Sequence, residues 1–323
     1  MYPSVNIILA GSTELSRVPG ISAAGANPEM SMMTPALDVE ILMEGRCISM
    51  NVPPMTPDGI PTPSLITKAC TEITGIEVFS VNAGMKVRPG TQFYETGLGP
   101  ARDPRIEPSL PHLDIAMKSG KRLSRLMKGM ESVMISETIP GGTTTAFAIT
   151  SMFVKDFRSS SSLPDDPMDT KKKVLDEIIH RTGRNLDPMR ALEEAGDYMQ
   201  AIALSFILDS KNPSIILAGG TQMASVYFLA TMMGARMENV ELWTTDSVYE
   251  HRGKEIEMIV PREKIRHGSI DFSSSVHEGI RKYSLGNVRE GAGMGGNILL
   301  ALQNAGKEEI LNRVDSLYGS FIK

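Results

Sequence analysis

The chain has 323 residues, of which 41% are apolar and 22% are charged, a composition typical of a globular protein rather than a disordered one. Its net charge of -5 argues against a protein that binds nucleic acid or an anionic membrane surface. No apolar run reaches the roughly 18 residues of a membrane span, and the first residues lack the charged segment of a signal peptide, so we expect a cytoplasmic protein. The cysteines and histidines show no spacing typical of a disulfide framework or a metal site.

Short apolar runs predict buried strands, and the longer segments between them predict helices. The predicted strands are residues 5–10, 76–81, 133–135, 214–218 and 240–243, with 255–260 as a further candidate; the predicted helices are residues 64–74, 112–128, 170–181, 189–208 and 222–233. A loop rich in small residues and prolines is expected over residues 16–38, and loops of this length are usually functional or disordered. Because continuous apolar strands alternate with helices, the sequence predicts a mostly parallel sheet with helices on both faces, a Rossmann-like α/β fold.

The predicted strands end in small or hydroxyl-bearing residues. These ends are Gly11-Ser12-Thr13, Asn82-Ala83-Gly84, Ser136-Glu137-Thr138, Gly219-Gly220-Thr221 and Thr244-Thr245-Asp246. In open α/β sheets, ligands bind beyond the carboxyl ends of the strands, where the strand order reverses. Small side chains leave room for a ligand there, and hydroxyls offer it hydrogen bonds. Five ends of this kind favour one shared binding site.

A glycine-rich turn follows the third predicted strand and opens a helix. It contains Glu137, Gly141 and Gly142, and the helix begins with Thr143 and Thr144. Glycines allow the backbone to approach a ligand, and the free N–H groups at a helix start attract anions. The turn therefore predicts an anion site, most plausibly for a phosphate group.

A second glycine-rich loop lies near the C-terminus. Gly291, Gly293 and Gly296 match the spacing of a dinucleotide-binding fingerprint, but no strand precedes them and no βαβ unit follows, so we reject that interpretation. Glu290 stands directly before these glycines. A carboxylate in this position can stabilise a helix N-terminus or take part in chemistry, and Glu137 has the same two interpretations.

Together the two loops resemble those of the nicotinate-nucleotide:dimethylbenzimidazole phosphoribosyltransferase family, and of its archaeal branch in particular. The segment 137–144 is similar to that family's Glu-x-x-x-Gly-Asn-Thr-Thr loop, and the segment 289–293 is similar to its Gly-Glu-Gly-Thr-Gly loop, which holds the catalytic glutamate. Between the loops, the family also has counterparts of Asp165, Asp166 and Lys171, of Asp187-Pro188, and of Gly219-Gly220. The chain departs from the family at Ala195-Gly196-Asp197-Tyr198, where the family has Gly-Gly-Phe-Glu, and at Ala218-Gly219, where it has Asp-Gly.

The resemblance implies transfer of phosphoribosyl from nicotinate mononucleotide to 5,6-dimethylbenzimidazole or a related base. Because the leaving ring is already a cationic pyridinium, only one general base is required, and Glu290 is the candidate. Glu137 is a candidate for stabilising an oxocarbenium-like transition state. The expected phosphate and ribose site consists of Gly141, Gly142, Thr143, Thr144, Gly219, Gly220, Gly291, Gly293 and Lys171, and the candidate acceptor pocket consists of Pro35, Asp38, Asn82 and Gly84.

The resemblance further implies a homodimer without a cofactor or metal. We expect a single domain over residues 1–323, with a small helical subdomain from the N- and C-terminal segments. Two alternatives stay open from the sequence. One is a non-catalytic protein that binds a nucleotide or cobamide precursor on the same scaffold, and the other is an unrelated sugar-phosphate enzyme.

Overall fold

The computed structural model describes residues 2–25, 27–161, 163 and 166–322. Within these residues, six parallel strands form a single sheet in the order β2-β1-β3-β4-β5-β6. The strands are β1 (Val5–Ala10), β2 (Glu77–Asn82), β3 (Ser132–Thr138), β4 (Ser214–Ala218), β5 (Val240–Thr244) and β6 (Ile265–His267). This arrangement confirms the predicted α/β fold with a parallel sheet.

Helices of the described part of the chain cover both faces of the sheet. They are α1 (Pro28–Glu44), α2 (Ser64–Thr74), α3 (Leu113–Leu126), α4 (Gly142–Phe153), α5 (Met168–Thr182), α6 (Pro188–Ala195), α7 (Tyr198–Asp209), α8 (Thr221–Met232), α9 (Asp246–Glu257), α10 (Glu278–Arg281), α11 (Met294–Ala301) and α12 (Lys307–Phe321). None of these helices is long and apolar enough to cross a membrane.

Strand β4 illustrates why the predicted strands are continuous apolar runs. Ile215 and Leu217 belong to the larger hydrophobic core, which also contains residues of α3, α7 and α8. Ile216 lies between them in sequence and packs with Leu300 of α11 in a separate cluster. Because successive side chains of a strand point to opposite faces, both faces of this sheet require apolar residues.

A second, smaller core joins helices from the two ends of the chain. Ile66 of α2, Ile298 of α11 and Val314 of α12 are fully buried in it, together with Ile41 of α1 and Ile280 of α10. These helices lie on the sheet face that carries Ile216. Loops next to these helices line one side of the space beyond the strand ends.

The helix predicted over residues 189–208 is instead two helices, α6 and α7. The chain leaves the helical conformation at Gly196 and Asp197. The side chain of Asp197 accepts the N–H of Gln200, and the side chain of Gln200 accepts the N–H of Asp197. This reciprocal capping box starts a new helix at Tyr198.

Two further predictions from the sequence are wrong. The loop expected over residues 16–38 is shorter, because α1 begins at Pro28 with Asn27 accepting the N–H of Met30, and Pro35 therefore lies inside a helix. The candidate strand 255–260 begins within α9, and the sixth strand of the sheet is β6.

The strand order places a switch point between β1 and β3. The chain runs outward from β1 to β2 and then crosses back to β3 on the other side of β1. Connections that leave neighbouring strands in opposite directions open a crevice at the carboxyl ends of those strands. Glu137 and Thr138 are the last two residues of β3 and lie at this crevice.

Candidate active site

A pocket with about 880 Å³ of empty space, part of which is open solvent, lies beyond the carboxyl ends of β3 and β4. Its walls combine loops from the N-terminal third, the turn after β3, and the glycine-rich loop before α11. The lining residues are 21–25, 34, 38, 54–56, 60–63, 137–141, 143, 160, 161, 220, 222 and 288–292. The two glycine-rich loops that the sequence singles out therefore face the same space.

Glu137 projects into this cavity from the end of β3 and is almost fully buried. Its Oε2 accepts hydrogen bonds from the N–H of Ile139 and from Nε2 of Gln222, both at 3.1 Å. Burial, followed by the nearby charges of Glu290 and Asp197, raises the pKa of Glu137 to about 8. Glu137 is therefore mostly protonated at neutral pH in the unliganded protein.

Glu290 lies on the opposite loop, directly before the glycine run. Its carboxylate accepts the N–H groups of Gly291 and Gly295 at 3.1–3.2 Å, and the Thr244 hydroxyl is 3.5 Å away. A Cβ added to Gly295 would lie 2.7 Å from Oε2 of Glu290, so only glycine permits this approach. Burial raises the pKa of Glu290 to about 7, although its hydrogen bonds act in the other direction.

The glycine pair after β4 separates the two carboxyl groups. A Cβ on Gly219 would lie 3.7 Å from Oε1 of Glu137, and a Cβ on Gly220 would lie 3.7 Å from Cβ of Glu290. The backbone of this pair therefore lies close to both acids, and neither glycine places a side chain between them. A ligand that occupies this part of the cavity meets Glu137 and Glu290 together.

Two helices begin at the cavity and direct their first N–H groups to it. Helix α4 follows Gly141, which has a left-handed φ of 83°, and α8 follows Gly220. Among the described residues, no acceptor takes the N–H of Thr143 or of Gln222. Free N–H groups and the positive end of the helix dipole at two neighbouring helix starts suit a ligand anion.

Three cations hold the loop 159–161 against the start of α8. Lys171 Nζ donates to the carbonyl of Ser160, Arg252 Nε to that of Ser159, and Arg289 to that of Ser161. Lys171 and Arg252 also pair with Asp166. Lys171 is fully buried, and burial lowers its pKa to about 8. It does not line the cavity, and it acts on the site through the loop.

Of the four residues predicted for the acceptor pocket, Asp38 lines the cavity. It lies on α1, is 3% exposed, and accepts hydroxyl hydrogen bonds from Thr62 and Thr138 at 2.6 Å and from Ser64 at 3.0 Å. Burial raises the pKa of Asp38 to about 6, and these hydroxyls act against that shift. Asp38 therefore remains largely ionised at pH 7.

The other three acceptor-pocket candidates do not line the cavity. Pro35 is inside α1. Asn82 holds the turn after β2, since its Oδ1 accepts the N–H groups of Gly84 and Met85 and its Nδ2 donates to Glu95. A Cβ on Gly84 would lie 2.6 Å from the carbonyl oxygen of Gly99, so close packing requires a glycine at this position.

The predicted phosphate and ribose residues divide into two groups. Those that line the cavity are Gly141, Thr143, Gly220 and Gly291, and those that lie behind its surface are Gly142, Thr144, Gly219, Gly293 and Lys171. Gly293 illustrates the second group, because its left-handed backbone is packed against Ser136 of β3. Asp165, named with Asp166 in the resemblance, lies outside the described residues.

The sequence does not single out several residues of the site. Gln222 bonds to Glu137 across 85 residues, and Arg289 lines the cavity while holding the loop 159–161. Asp197 accepts the hydroxyl of Thr145 and raises the pKa of Glu137. A signal for Asp197 exists in the Asp-x-x-Gln spacing of its capping box, whereas the long-range partners leave no pattern in the sequence.

Among the described residues, no cluster of three or more His, Cys, Asp or Glu side chains is arranged to hold a metal ion.

The fold is that of the nicotinate-nucleotide-dimethylbenzimidazole phosphoribosyltransferases, which confirms the resemblance predicted from the two loops. The crystal structure of that enzyme from Thermus thermophilus aligns with a TM-score of 0.61 and 14% identity, over 96% of this chain and 85% of that one. A crystal structure of CobT from the same organism gives the same TM-score at 15% identity, over 96% of this chain and 86% of that one.

The chain belongs to the UPF0284 family of archaeal proteins. It is 40% identical to a UPF0284 protein of Thermoplasma volcanium, with 99% of this chain and 94% of the relative covered. Identity is 36% to a relative in Thermoplasma acidophilum, again with 99% and 94% covered, and 35% to one in Pyrobaculum calidifontis, with 98% and 96% covered. No family model matches the chain.

Proposed function

We propose that this protein is a phosphoribosyltransferase that moves phosphoribosyl from nicotinate mononucleotide to 5,6-dimethylbenzimidazole or a related base, in cobalamin lower-ligand assembly. The observation that carries the proposal is the single cavity shared by Glu137, Glu290 and the starts of α4 and α8. The fold shared with the Thermus thermophilus phosphoribosyltransferase supports the same chemistry.

The phosphate group of the nucleotide binds where anions are most favoured. The N–H groups at the starts of α4 and α8 supply donors, and Ser160 and Ser161 add hydroxyls beside them. Arg289 lies on the same side and contributes positive charge. Held at this point, the nucleotide places its ribose between Glu137 and Glu290, so that position rather than covalent chemistry supplies much of the rate enhancement.

Glu290 takes the proton of the acceptor base. As one ring nitrogen of the base forms the new bond to the ribose C1′, the bond from C1′ to the pyridinium nitrogen breaks and nicotinate leaves. The N–H of the base loses its proton to Glu290 in the same step. A general base works best when its pKa lies near the working pH, and the pKa of Glu290 is about 7.

Glu137 stabilises the positive charge that develops on the ribose ring. In the free protein its pKa of about 8 keeps it protonated at neutral pH, partly because Glu290 lies nearby. The cationic pyridinium of the bound nucleotide favours ionisation of both acids. Glu137 then faces the transition state as a carboxylate in a site from which water is largely excluded.

Turnover by the purified protein tests the proposal. Nicotinate mononucleotide and 5,6-dimethylbenzimidazole are incubated with the protein, and the products are identified by mass spectrometry. We expect nicotinate and α-ribazole phosphate in equal amounts, and no nicotinate release when the base is omitted. Nucleotide binding without product for any benzimidazole or phenolic acceptor would instead support a non-catalytic binding protein.

A further inference from the structure

The side of the cavity around Asp38 contains four polar side chains that have no free proton to offer a ligand. Thr62 and Thr138 both donate to Asp38. Thr34 donates to the carbonyl of Met30 at 2.9 Å. An ionised carboxylate has no proton to donate. These four side chains, Thr34, Asp38, Thr62 and Thr138, form what we call the acceptor wall, and each offers only oxygen lone pairs to a ligand.

Asp38 has unused capacity to accept a hydrogen bond. An ionised carboxylate offers about four lone-pair sites, and the hydroxyls of Thr62, Ser64 and Thr138 occupy three of them. Two of these bonds end on Oδ1 and one ends on Oδ2. The remaining lone pair belongs to Oδ2 of a side chain that lines the cavity. A ligand N–H or O–H can occupy it.

The surface that borders the acceptor wall is apolar and includes several prolines. Pro61 and Pro63 flank Thr62, and Pro54 lies opposite in the same hairpin, where its carbonyl accepts the N–H of Thr62. Proline has no N–H to offer a ligand. Ile60 also lines this end. The surroundings suit an uncharged, flat ring, while the wall itself requires a donor on the edge of that ring.

Asp38 and Glu290 reach the same cavity from different strand ends. Asp38 is bonded to Thr138 at the end of β3, whereas Glu290 contacts Thr244 at the end of β5. Strand β4 separates these two strands, so the strand ends that the two carboxyls contact are roughly 10 Å apart along the edge of the sheet. A base whose ring nitrogens react beside Glu290 therefore turns its far edge towards Asp38.

We propose that Asp38 makes the site specific for an acceptor base whose far edge carries a hydrogen-bond donor, such as a hydroxyl, an amino group or a ring N–H, and that it disfavours a base whose far edge carries only methyl groups. This inference rests on the proposed function, because it names the acceptor class of the same site. A methyl group against the acceptor wall leaves the free Oδ2 lone pair of Asp38 without a partner, which is costly at a buried carboxylate.

Binding of two ligands of matched size tests this inference independently of turnover. We would titrate 5-hydroxybenzimidazole and 5-methylbenzimidazole into the protein, with and without nicotinate mononucleotide, by calorimetry. We expect the hydroxyl compound to bind at least about tenfold more tightly, as befits one hydrogen bond to a charged group. An apolar wall alone would favour the methyl compound. Equal or tighter binding of the methyl compound by the wild-type protein overturns the inference, and so does failure of both compounds to bind.

The Asp38→Asn variant assigns the preference to this carboxyl. We expect its hydroxyl preference to fall to within about threefold, provided that circular dichroism shows a folded protein. Asp58→Asn is the matched control, because Asp58 is exposed at the tip of the neighbouring hairpin and does not line the cavity. An unchanged preference in a folded Asp38→Asn variant overturns the inference. If the preference is present but no acceptor is turned over, the proposed function fails and the inference about the wall stands.

Discussion

Four buried carboxyl groups in the described part of the chain keep their protons to a higher pH than exposed carboxyls do. Burial raises the pKa values of Asp38 and Asp197 to about 6, of Glu290 to about 7 and of Glu137 to about 8. The folded protein therefore binds more protons than the unfolded chain across this range. The stability that these groups contribute is fully present below about pH 4 and is lost as the pH rises through 6 to 8.

Replacing Glu137 by glutamine should flatten this dependence. Glutamine keeps an oxygen for the Gln222 and Ile139 hydrogen bonds but cannot ionise. From urea unfolding at pH 5 and pH 8, we expect the loss of unfolding free energy to be smaller in Glu137→Gln than in the wild type by about 3 kcal/mol, the linkage expected for a carboxyl whose pKa rises from 4.5 to about 8. The exposed Glu278→Gln should behave as the wild type does. An identical pH dependence in Glu137→Gln would show that Glu137 ionises normally in the folded protein.

At the scale of elements, the glycines before and within α11 bring the helix close to the sheet. Gly296 faces Ala218 at the end of β4, and Gly293 faces Ser136 of β3. Asn297 continues the contact, since its Oδ1 accepts from Asn6 of β1, and Asn6 in turn accepts the Ser136 hydroxyl. The spacing that resembles a dinucleotide fingerprint therefore has a packing cause. The same loop carries Glu290, so the close packing of these glycines also fixes the position of that side chain.

The substitution Gly296→Ala should destabilise the protein through this contact. A Cβ at residue 296 would collide with Cβ of Ala218 and lie 3.3 Å from its Cα, so α11 must move away from the sheet. We expect a loss of about 1–3 kcal/mol in unfolding free energy, measured by chemical denaturation. Gly99→Ala is the control, since Gly99 is exposed with nothing within 4 Å of an added Cβ, and it should change stability by less than about 0.5 kcal/mol. Equal stability of the two variants would contradict the packing account.

At the scale of the whole molecule, the features predicted from sequence are those with local causes. The strands are continuous apolar runs because both faces of the sheet are buried. The turns contain glycine because Gly141 and Gly293 adopt left-handed conformations. The break between α6 and α7 is also locally encoded, in the capping box of Asp197 and Gln200, but the apolar pattern continues across it and predicts one long helix.

The features missed from sequence depend on contacts between distant segments. The three hydroxyl partners of Asp38 come from 24, 26 and 100 residues away. The resemblance implies that Lys171 lies at the phosphate, but its Nζ is held by Ser159, Ser160 and Asp166, and this depends on how the loop folds over α5. Asn82 lies at a strand end as predicted, yet its hydrogen bonds serve the turn. Position at a strand end therefore identifies the edge that carries the site and leaves open which side chains face the cavity.

The rate of phosphoribosyl transfer by Glu290→Gln tests whether Glu290 is the general base of the reaction. Glutamine keeps the shape of the side chain and removes the base. With nicotinate mononucleotide and a benzimidazole acceptor, we expect kcat to fall by about 100-fold or more, the usual contribution of a general base, while the exposed Glu278→Gln keeps the wild-type rate. Undiminished turnover by a folded Glu290→Gln variant, or no transfer by the wild type to any acceptor, would contradict the account.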